Sequence, residues 1–111
     1  MQLRDYMHIL IVDDLTENIQ VAMNILREDS YSFSFATQGS EALKIIERDA
    51  KQLDLILLDI MMPGIDGFSV CKTVKENPLT ASIPIIFLTA KTDIDAISKG
   101  FSLGAVDYIT K

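Results

Sequence analysis

Cysteine, positive charge and long apolar runs are all scarce in this 111-residue chain, and each scarcity excludes a class of protein. The single cysteine, Cys71, excludes an intramolecular disulfide and a cysteine-rich zinc site. A reducing, cytoplasmic location is then the default expectation. The apolar runs fall far short of the roughly 20 residues that a membrane span needs. Residues 1–6 also lack the apolar region of a signal peptide, so we expect no membrane association.

The scarcity of positive charge argues against nucleic-acid binding. Ten Lys and Arg residues are outnumbered by sixteen Asp and Glu, which gives a net charge of -6 at pH 7. The basic residues are scattered, whereas a surface that binds nucleic-acid phosphates needs them clustered. The hydrophobic fraction of 49% is enough for a core without metal or disulfide. We therefore expect one globular domain over residues 1–111 that does not bind nucleic acid directly.

Short apolar runs alternate along the chain with longer segments of helical periodicity. Three of the runs are continuously apolar, which is typical of strands buried on both faces of a parallel sheet. Two weaker runs complete the set. The predicted strands are Ile9–Val12, Phe33–Ala36, Leu55–Leu58, Ile85–Leu88 and Val106–Ile109.

Four amphipathic helices are predicted between these strands, from apolar residues three or four positions apart. Their apolar faces are Leu15, Ile19, Ala22 and Leu26, then Ala42, Ile46, Ala50 and Leu53, then Gly67, Cys71 and Val74, and last Ile94, Ile97 and Phe101. The candidate boundary residues are Thr16, Gly39 or Ser40, and Asp93 as caps, with Asn77-Pro78 as the end of the third helix. The alternation predicts an α/β fold with a doubly wound, five-stranded parallel sheet.

The sequence ends at Lys111, directly after the fifth predicted strand, and a fifth helix is missing. A helix that buries roughly 400 Å² of apolar surface contributes a gross term of about 10 kcal/mol. We therefore expect a C-terminally truncated chain that is fragile or self-associates through the uncovered face.

Polar residues follow four of the predicted strands. Asp13 and Asp14 follow the first strand, Asp59 the third, Thr89 the fourth and Lys111 the fifth. Ligands of open α/β sheets bind beyond the carboxyl ends of the strands, so these residues meet if the first and third strands are neighbours. Three close carboxylates repel one another, and a hard cation such as Mg²⁺ relieves that repulsion. Asp can then accept a phosphoryl group as an aspartyl phosphate, with a hydroxyl and an ammonium group to bind its oxygens.

Each of these residues also has a plainer interpretation. An aspartate after a strand is often a turn residue, and the pair Asp13 and Asp14 can cap the helix that follows. Thr89 can cap the next turn, and Lys111 can be a solvated tail. The coincidence of all of them at strand ends favours the chemical interpretation.

Four stretches resemble the receiver domain of bacterial response regulators, in the order and spacing of that two-component family. They are Ile9–Asp14, Leu55–Gly67, Pro84–Ala90 and Gly104–Lys111, and together they extend over nearly the whole chain. The resemblance implies a flavodoxin-like strand order 2-1-3-4-5. It also implies a phosphoprotein of a phosphorelay, whose Asp59 receives the phosphoryl group from a phosphohistidine of a sensor histidine kinase or histidine phosphotransfer protein. Such a domain is not an enzyme for other molecules and catalyses only its own phosphorylation and dephosphorylation.

The resemblance also implies a magnesium site. Asp14 and Asp59 would bind Mg²⁺ through their side chains and Asp13 mainly through water. The backbone carbonyl of Met61 would complete the set.

A switch is the other implication of the resemblance. Thr89 would be the switch hydroxyl, Lys111 the lysine that pairs with the phosphoryl group, and Tyr108 the aromatic residue that moves inward. This movement would alter the surface of the fourth helix and fifth strand, which controls an output. The chain is then expected to be the N-terminal part of a longer response regulator. A downstream effector domain and a homodimer are both left open.

Three rival functions remain. A small Mg²⁺-dependent phosphatase of the haloacid dehalogenase type would also use an Asp nucleophile. That class has its nucleophile and its second acid two residues apart after one strand, whereas here Asp13 and Asp14 follow a different strand from Asp59. A receiver-shaped interaction module that is never phosphorylated would not need the full set of polar residues. A flavin carrier of the same fold would need a Gly/Ser/Thr-rich loop after the first strand, which is absent.

Overall fold

The computed structural model of the chain describes residues 7–26, 31–89 and 94–110. Strands and helices alternate throughout these residues. The strands are β1 (His8–Val12), β2 (Ser32–Ala36), β3 (Leu55–Asp59), β4 (Ile85–Thr89) and β5 (Asp107–Thr110). The helices are α1 (Thr16–Leu26), α2 (Gly39–Arg48), α3 (Gly67–Glu76) and α4 (Ile94–Ser102). Each predicted strand is present, with ends that differ from the prediction by at most one residue.

The strands form one parallel sheet in the order β2-β1-β3-β4-β5, which confirms the predicted order. In this sheet β1 lies between β2 and β3, so that Leu10 pairs with Ser34 on one side and with Ile56 on the other. The strand order reverses between β1 and β3. The carboxyl ends of these two strands therefore flank the crevice in which open α/β sheets bind their ligands.

Alternate residues of the central strands pack on opposite faces of the sheet. Leu10 and Ile56 are fully buried in the layer that contains α2 and α3. Ile9 and Ile11 are buried on the other face, beside Ile19 of α1. Both faces are covered at the centre of the sheet, which explains why these strands are continuously apolar.

Two of the predicted helix caps are wrong by one residue. Thr16 and Gly39 are the first residues of α1 and α2, and the capping position of α2 is Gln38, whose side chain makes no capping hydrogen bond. Instead, the backbone N–H of Thr37 donates to the carboxylate of Glu41 at 2.9 Å. Glu41 lies in the first turn of α2, so the helix itself supplies the acceptor at its start. This resembles one of the two hydrogen bonds of a capping box.

The apolar face predicted for α2 extends past the end of the helix. The helix ends at Arg48, and Ala50 and Leu53 lie in the following turn. Leu53 is nevertheless buried, because its backbone N–H donates to the carbonyl oxygen of Asp49 at 3.1 Å and turns the chain back to the core. The cap predicted for the fourth helix, Asp93, lies outside the described residues.

One part of the sheet surface is poorly covered within the described residues. Ile86 and Leu88 of β4 are half-buried on the face that α1 packs against. Ile109 pairs with Leu88 and is 49% exposed, and Ile25 of α1 is 70% exposed. The described part of the chain contains no fifth helix over this face, as predicted. None of its helices has the length and apolar character needed to cross a lipid bilayer.

Lys75 joins the end of α3 to the segment that precedes β4. Its ammonium group donates to the carbonyl oxygens of Ala81 at 2.9 Å and Ile83 at 2.7 Å. Partial burial lowers the pKa of Lys75. Gly104, with a φ of 106°, turns the chain across the stem of this lysine, where a Cβ would lie 3.0 Å from the lysine Cγ. Lys75 therefore holds two connections at the amino-terminal end of β4 and β5.

We expect Lys75→Met to destabilise the domain, because it leaves the carbonyl oxygens of Ala81 and Ile83 without their donor. The loss should be about 1 to 3 kcal/mol in the free energy of unfolding. Lys72→Met, an exposed lysine of the same helix, is the matched control and should change little. Urea denaturation of the three proteins measures the difference. Equal midpoints for both variants would contradict the structural role of the Lys75 ammonium group.

We also expect the 111-residue chain to self-associate through the poorly covered face. Ile109→Glu should shift the sedimentation profile towards monomer, because it introduces a charge into this apolar surface. Leu79→Glu is the control, since Leu79 is 74% exposed in the connection between α3 and β4, away from this face. A wild-type chain that stays monomeric at high concentration would refute the expectation.

Candidate metal centre and phosphoacceptor site

Three carboxylates meet where β1 and β3 end. Asp13 follows β1 directly, and Asp59 is the last residue of β3. Asp13, Asp14 and Asp59 each offer a carboxylate oxygen, and these oxygens all lie within 4.8 Å of one another. Asp13 is completely buried and Asp59 is 2% exposed, whereas Asp14 is half-buried. The structure thus brings together the three acids that the sequence predicted to converge.

The donor set of this cluster fits a hard divalent cation. Two oxygens bound to one Mg²⁺ ion are at most about 4.2 Å apart, since each lies about 2.1 Å from the metal. Oxygens within 4.8 Å of one another need only small shifts, or a retained water on one of them, to share an ion. Without a cation, the cluster holds three acids in or near a low-dielectric interior, where like charges repel strongly.

Asp13 is held in place by the start of α1. One of its carboxylate oxygens accepts hydrogen bonds from the backbone N–H of Leu15 at 3.0 Å and from the side-chain amide of Asn18 at 3.3 Å. Its own backbone N–H donates to the carbonyl oxygen of Ala36 at 3.1 Å. The capping interpretation of Asp13 is therefore partly right, because this side chain also orders the entry to α1. Sequence reasoning missed Asn18, whose only signal was its place in the first turn of α1.

The loop after β3 folds tightly around the carboxyl end of that strand. The backbone N–H of Met61 donates to the carboxylate of Asp59 at 3.4 Å, so the backbone of Met61 lies beside this acid. The backbone N–H of Gly67 donates to the carbonyl oxygen of Ile60 at 3.0 Å, which brings the start of α3 back to β3. Only glycine fits there, because a Cβ on Gly67 would overlap the carbonyl oxygen of Asp59. Asp66 caps α3 by accepting from the backbone N–H of Ser69 at 2.9 Å.

Thr89 lies at the same edge of the sheet. It is the last residue of β4, is 4% exposed, and follows Leu88, which pairs with Asp59 across the two strands. The hydroxyl-bearing residue predicted for the site is therefore next to the acid cluster in the sheet. Lys111, the predicted phosphoryl-pairing lysine, lies outside the described residues.

Tyr108 lies on β5, on the side of the sheet that faces α4. It pairs with Phe87 and is 38% exposed, and its ring meets that of Phe101 edge to face at a centroid distance of 6.1 Å. Phe87, Thr89, Phe101 and Tyr108 are among the residues that line one shallow depression between α4 and the sheet. The predicted switch hydroxyl and switch aromatic thus border the same space.

Comparison with known sequences places these features in a family. The model of the response regulator receiver domain matches residues 9–111. Response regulator PleD of Caulobacter vibrioides is 41% identical over 103 residues, which are 93% of this chain and 22% of PleD. Response regulator SaeR of Staphylococcus epidermidis is 38% identical over 104 residues, which are 94% of this chain and 43% of SaeR. The chain therefore spans less than half of the length of these relatives.

Solved structures with the same fold agree. The receiver-protein N-terminal domain from Methanoculleus marisnigri is 37% identical, with a TM-score of 0.80 over 94% of this chain and 83% of that one. Chemotaxis response regulator CheY4 of Vibrio cholerae is 28% identical, with a TM-score of 0.87 over 96% and 87%. The phosphorylated cyanobacterial phytochrome response regulator RcpA is 27% identical, with a TM-score of 0.88 over 96% and 81%. With the family model matching nearly the whole chain, this protein belongs to the response regulator receiver domains of two-component signalling.

Proposed function

We propose that this domain accepts a phosphoryl group from a phosphohistidine onto Asp59 in a Mg²⁺-dependent reaction. The observation that carries the proposal is the placement of Asp59, which is almost fully buried at the end of β3 with Asp13 and Asp14 close by. An isolated turn or cap residue would not need two further acids at this distance. The comparison with receiver domains supports the same chemistry.

The chain supplies both the nucleophile and the ligands for this transfer. A carboxylate oxygen of Asp59 attacks phosphorus while the bond from phosphorus to the imidazole nitrogen breaks, and that nitrogen keeps the electron pair. Asp14 and Asp59 would hold the cation through their side chains, Asp13 mainly through water, and Met61 through its backbone carbonyl. When bound, Mg²⁺ neutralises the negative charge that accumulates on the phosphoryl oxygens and on the acids.

Two further residues would meet the remaining charge on the phosphoryl group, Thr89 at the end of β4 and Lys111, which follows β5 in the sequence. The hydroxyl of Thr89 donates a hydrogen bond to one phosphoryl oxygen, and Lys111 pairs with another. This division matches what phosphoryl transfer requires of a protein, which is mainly positioning and charge compensation.

Phosphorylation would then act on the surface formed by α4 and β5. Movement of Thr89 towards the phosphoryl group vacates space on the side where Tyr108 lies, and the Tyr108 ring moves inward. The depression between them leaves no room for a water molecule as it stands, so the ring would occupy the space that Thr89 leaves. The consequence is a two-state surface that reports the charge state of Asp59.

Receiver domains are phosphorylated by histidine kinases, and the proposed donor is therefore a sensor histidine kinase or a histidine phosphotransfer protein. The output would lie in the larger part of a longer protein, since the chain spans only 22% of PleD. A second copy of the domain is a further candidate partner of the α4–β5 surface. The proposed setting is the cytoplasm, and the proposed activity is self-phosphorylation and self-dephosphorylation, with no turnover of other substrates.

We expect Mg²⁺ to stabilise the domain against heat, because it binds the folded acid cluster and relieves its repulsion. At ten times the dissociation constant the gain is about 1.4 kcal/mol, which corresponds to roughly 5 to 10 °C in the unfolding midpoint of a domain of this size. Asp14→Asn should lose most of this shift. Glu76→Gln, an exposed acid at the far end of α3, should keep it. Scanning calorimetry with and without Mg²⁺ makes the comparison, and equal shifts in both variants would count against a site at Asp14.

We expect one phosphoryl group to be added to the wild-type chain by a small acyl phosphate in the presence of Mg²⁺. Intact-mass spectrometry should detect the adduct, and Asp59→Asn or a chelator should abolish it. Glu76→Gln should be phosphorylated like the wild type. An adduct that persists in Asp59→Asn would move the acceptor elsewhere. No adduct here or in a chain extended beyond Lys111 would leave a receiver-shaped interaction module.

A further inference from the structure

The loop between β3 and α3, residues 60–66, is held at both of its ends by a helix start that carries glycine. At one end lies Gly67 of α3, whose missing side chain allows contact with the backbone of Asp59 and Ile60. At the other end lies Gly39, the first residue of α2, which contacts Ile65. Gly39 belongs to a different part of the chain from Asp59 and lies against the far end of this loop.

The contact at Gly39 has no room for a side chain. A Cβ built on Gly39 would lie 2.5 Å from the carbonyl oxygen of Ile65 and 2.8 Å from its Cβ. Both distances are shorter than a non-bonded contact allows, and the first is to backbone, which cannot rotate out of the way. Any other residue at position 39 must separate α2 from the loop.

The helix itself gives no reason for glycine at this position. Gly39 is not among the residues with positive φ, so an alanine can adopt its conformation. Alanine is also the better helix former, because glycine loses more backbone entropy on folding. The glycine is therefore explained by the close approach of Ile65, not by the local geometry of α2.

Of the two elements in contact, the loop is the one that would move. α2 is anchored in the core by Ala42 and Ile46, which are completely or almost completely buried. The loop is exposed at Met61, at Gly64 and at Ile65. Ile65 and Met61 belong to the same short loop, so a displacement at Ile65 also moves the backbone of Met61 beside Asp59.

We propose that Gly39 is a positioning residue for the metal site, acting through Ile65 on the loop that carries the Met61 carbonyl beside Asp59. The inference rests on the proposed function, because the loop matters only if the acids bind Mg²⁺. By setting how closely α2 approaches the loop, Gly39 fixes where the backbone ligand lies relative to the carboxylates.

Gly39→Ala tests this inference, with Mg²⁺ affinity measured by isothermal titration calorimetry. Residues that orient metal ligands without touching the metal typically alter affinity by tenfold or more, so we expect the dissociation constant to rise about tenfold. The metal-free protein should remain folded, because the helix preference of alanine partly offsets the packing that is lost when the loop moves. Amide resonances of residues 60–62 and 64–65 should shift in the metal-free protein. Ser40→Ala, an exposed neighbour in the same helical turn, should behave as the wild type.

A second variant separates loop displacement from damage to α2. Adding Ile65→Gly to Gly39→Ala removes the two side-chain overlaps and lets the backbone at position 65 yield to the remaining overlap with its carbonyl oxygen. It should therefore recover part of the Mg²⁺ affinity, or part of the stability if Gly39→Ala alone fails to fold. Unchanged affinity in Gly39→Ala, or no recovery in the double variant, would overturn the inference while the wild type still binds Mg²⁺. A wild type that does not bind Mg²⁺ at all would instead overturn the proposed function, and this inference with it.

Discussion

The mutual repulsion of three carboxylates at one edge of the sheet is the constraint on which the rest of this domain depends. Their carboxylate oxygens lie within 4.8 Å of one another, a distance at which like charges repel. Parallel pairing of β1 with β3 forces Asp13 and Asp59 into that arrangement, and the buried apolar residues of both strands hold them there. The fold thus creates a site whose charge a divalent cation would offset.

Hydrogen bonds and close backbone packing hold the three acids in this arrangement. The backbone N–H of Leu15 and the amide of Asn18 both bond to one oxygen of Asp13, which fixes the plane of the carboxylate. On the opposite side, Gly39 and Gly67 let two helix starts approach the loop after β3 more closely than any side chain would permit. Polar groups therefore orient the acids on the β1 side, and tight backbone packing does so on the β3 side.

The sequence predicted the fold well because its strongest signals are determined by burial. The continuous apolar runs at β1 and β3 are explained by the helices that cover both faces of these strands. The carboxyl ends of β1, β3 and β4 then place Asp13, Asp59 and Thr89 at one edge of the sheet. The helix boundaries were less accurate. Gly39 or Ser40 was predicted to cap α2, but the hydrogen bond at this helix start runs from the backbone N–H of Thr37 to the carboxylate of Glu41. Caps are decided by a single hydrogen bond, whereas a buried strand is decided by many contacts.

Asn18 and Gly39 were missed for a different reason. An asparagine in the first turn of a helix and a glycine at a helix start are each common for purely local reasons, so a sequence without its contacts gives them no chemical meaning. Their roles depend on partners in other elements, five residues away for Asn18 and Ile65 in another loop for Gly39. Residues that make the chemistry can be recognised by type, but residues that position it are recognised only by what they touch.

The distribution of burial around the site gives a physical reason why charge at Asp59 should be transmitted to α4 and β5 and not to the centre of the sheet. β1 and β3 are packed on both faces, and their interior residues lack the space to move. β5 has a partner strand on one side only, and Val106, Tyr108 and Ile109 remain 38% to 58% exposed. Thr89 ends β4, the strand that lies between these two regions, and it borders both the acids and the depression beside Tyr108. If Thr89 moves as proposed, it meets tight packing on one side and a sheet edge with one partner strand on the other, so we expect α4 and β5 to take up the displacement.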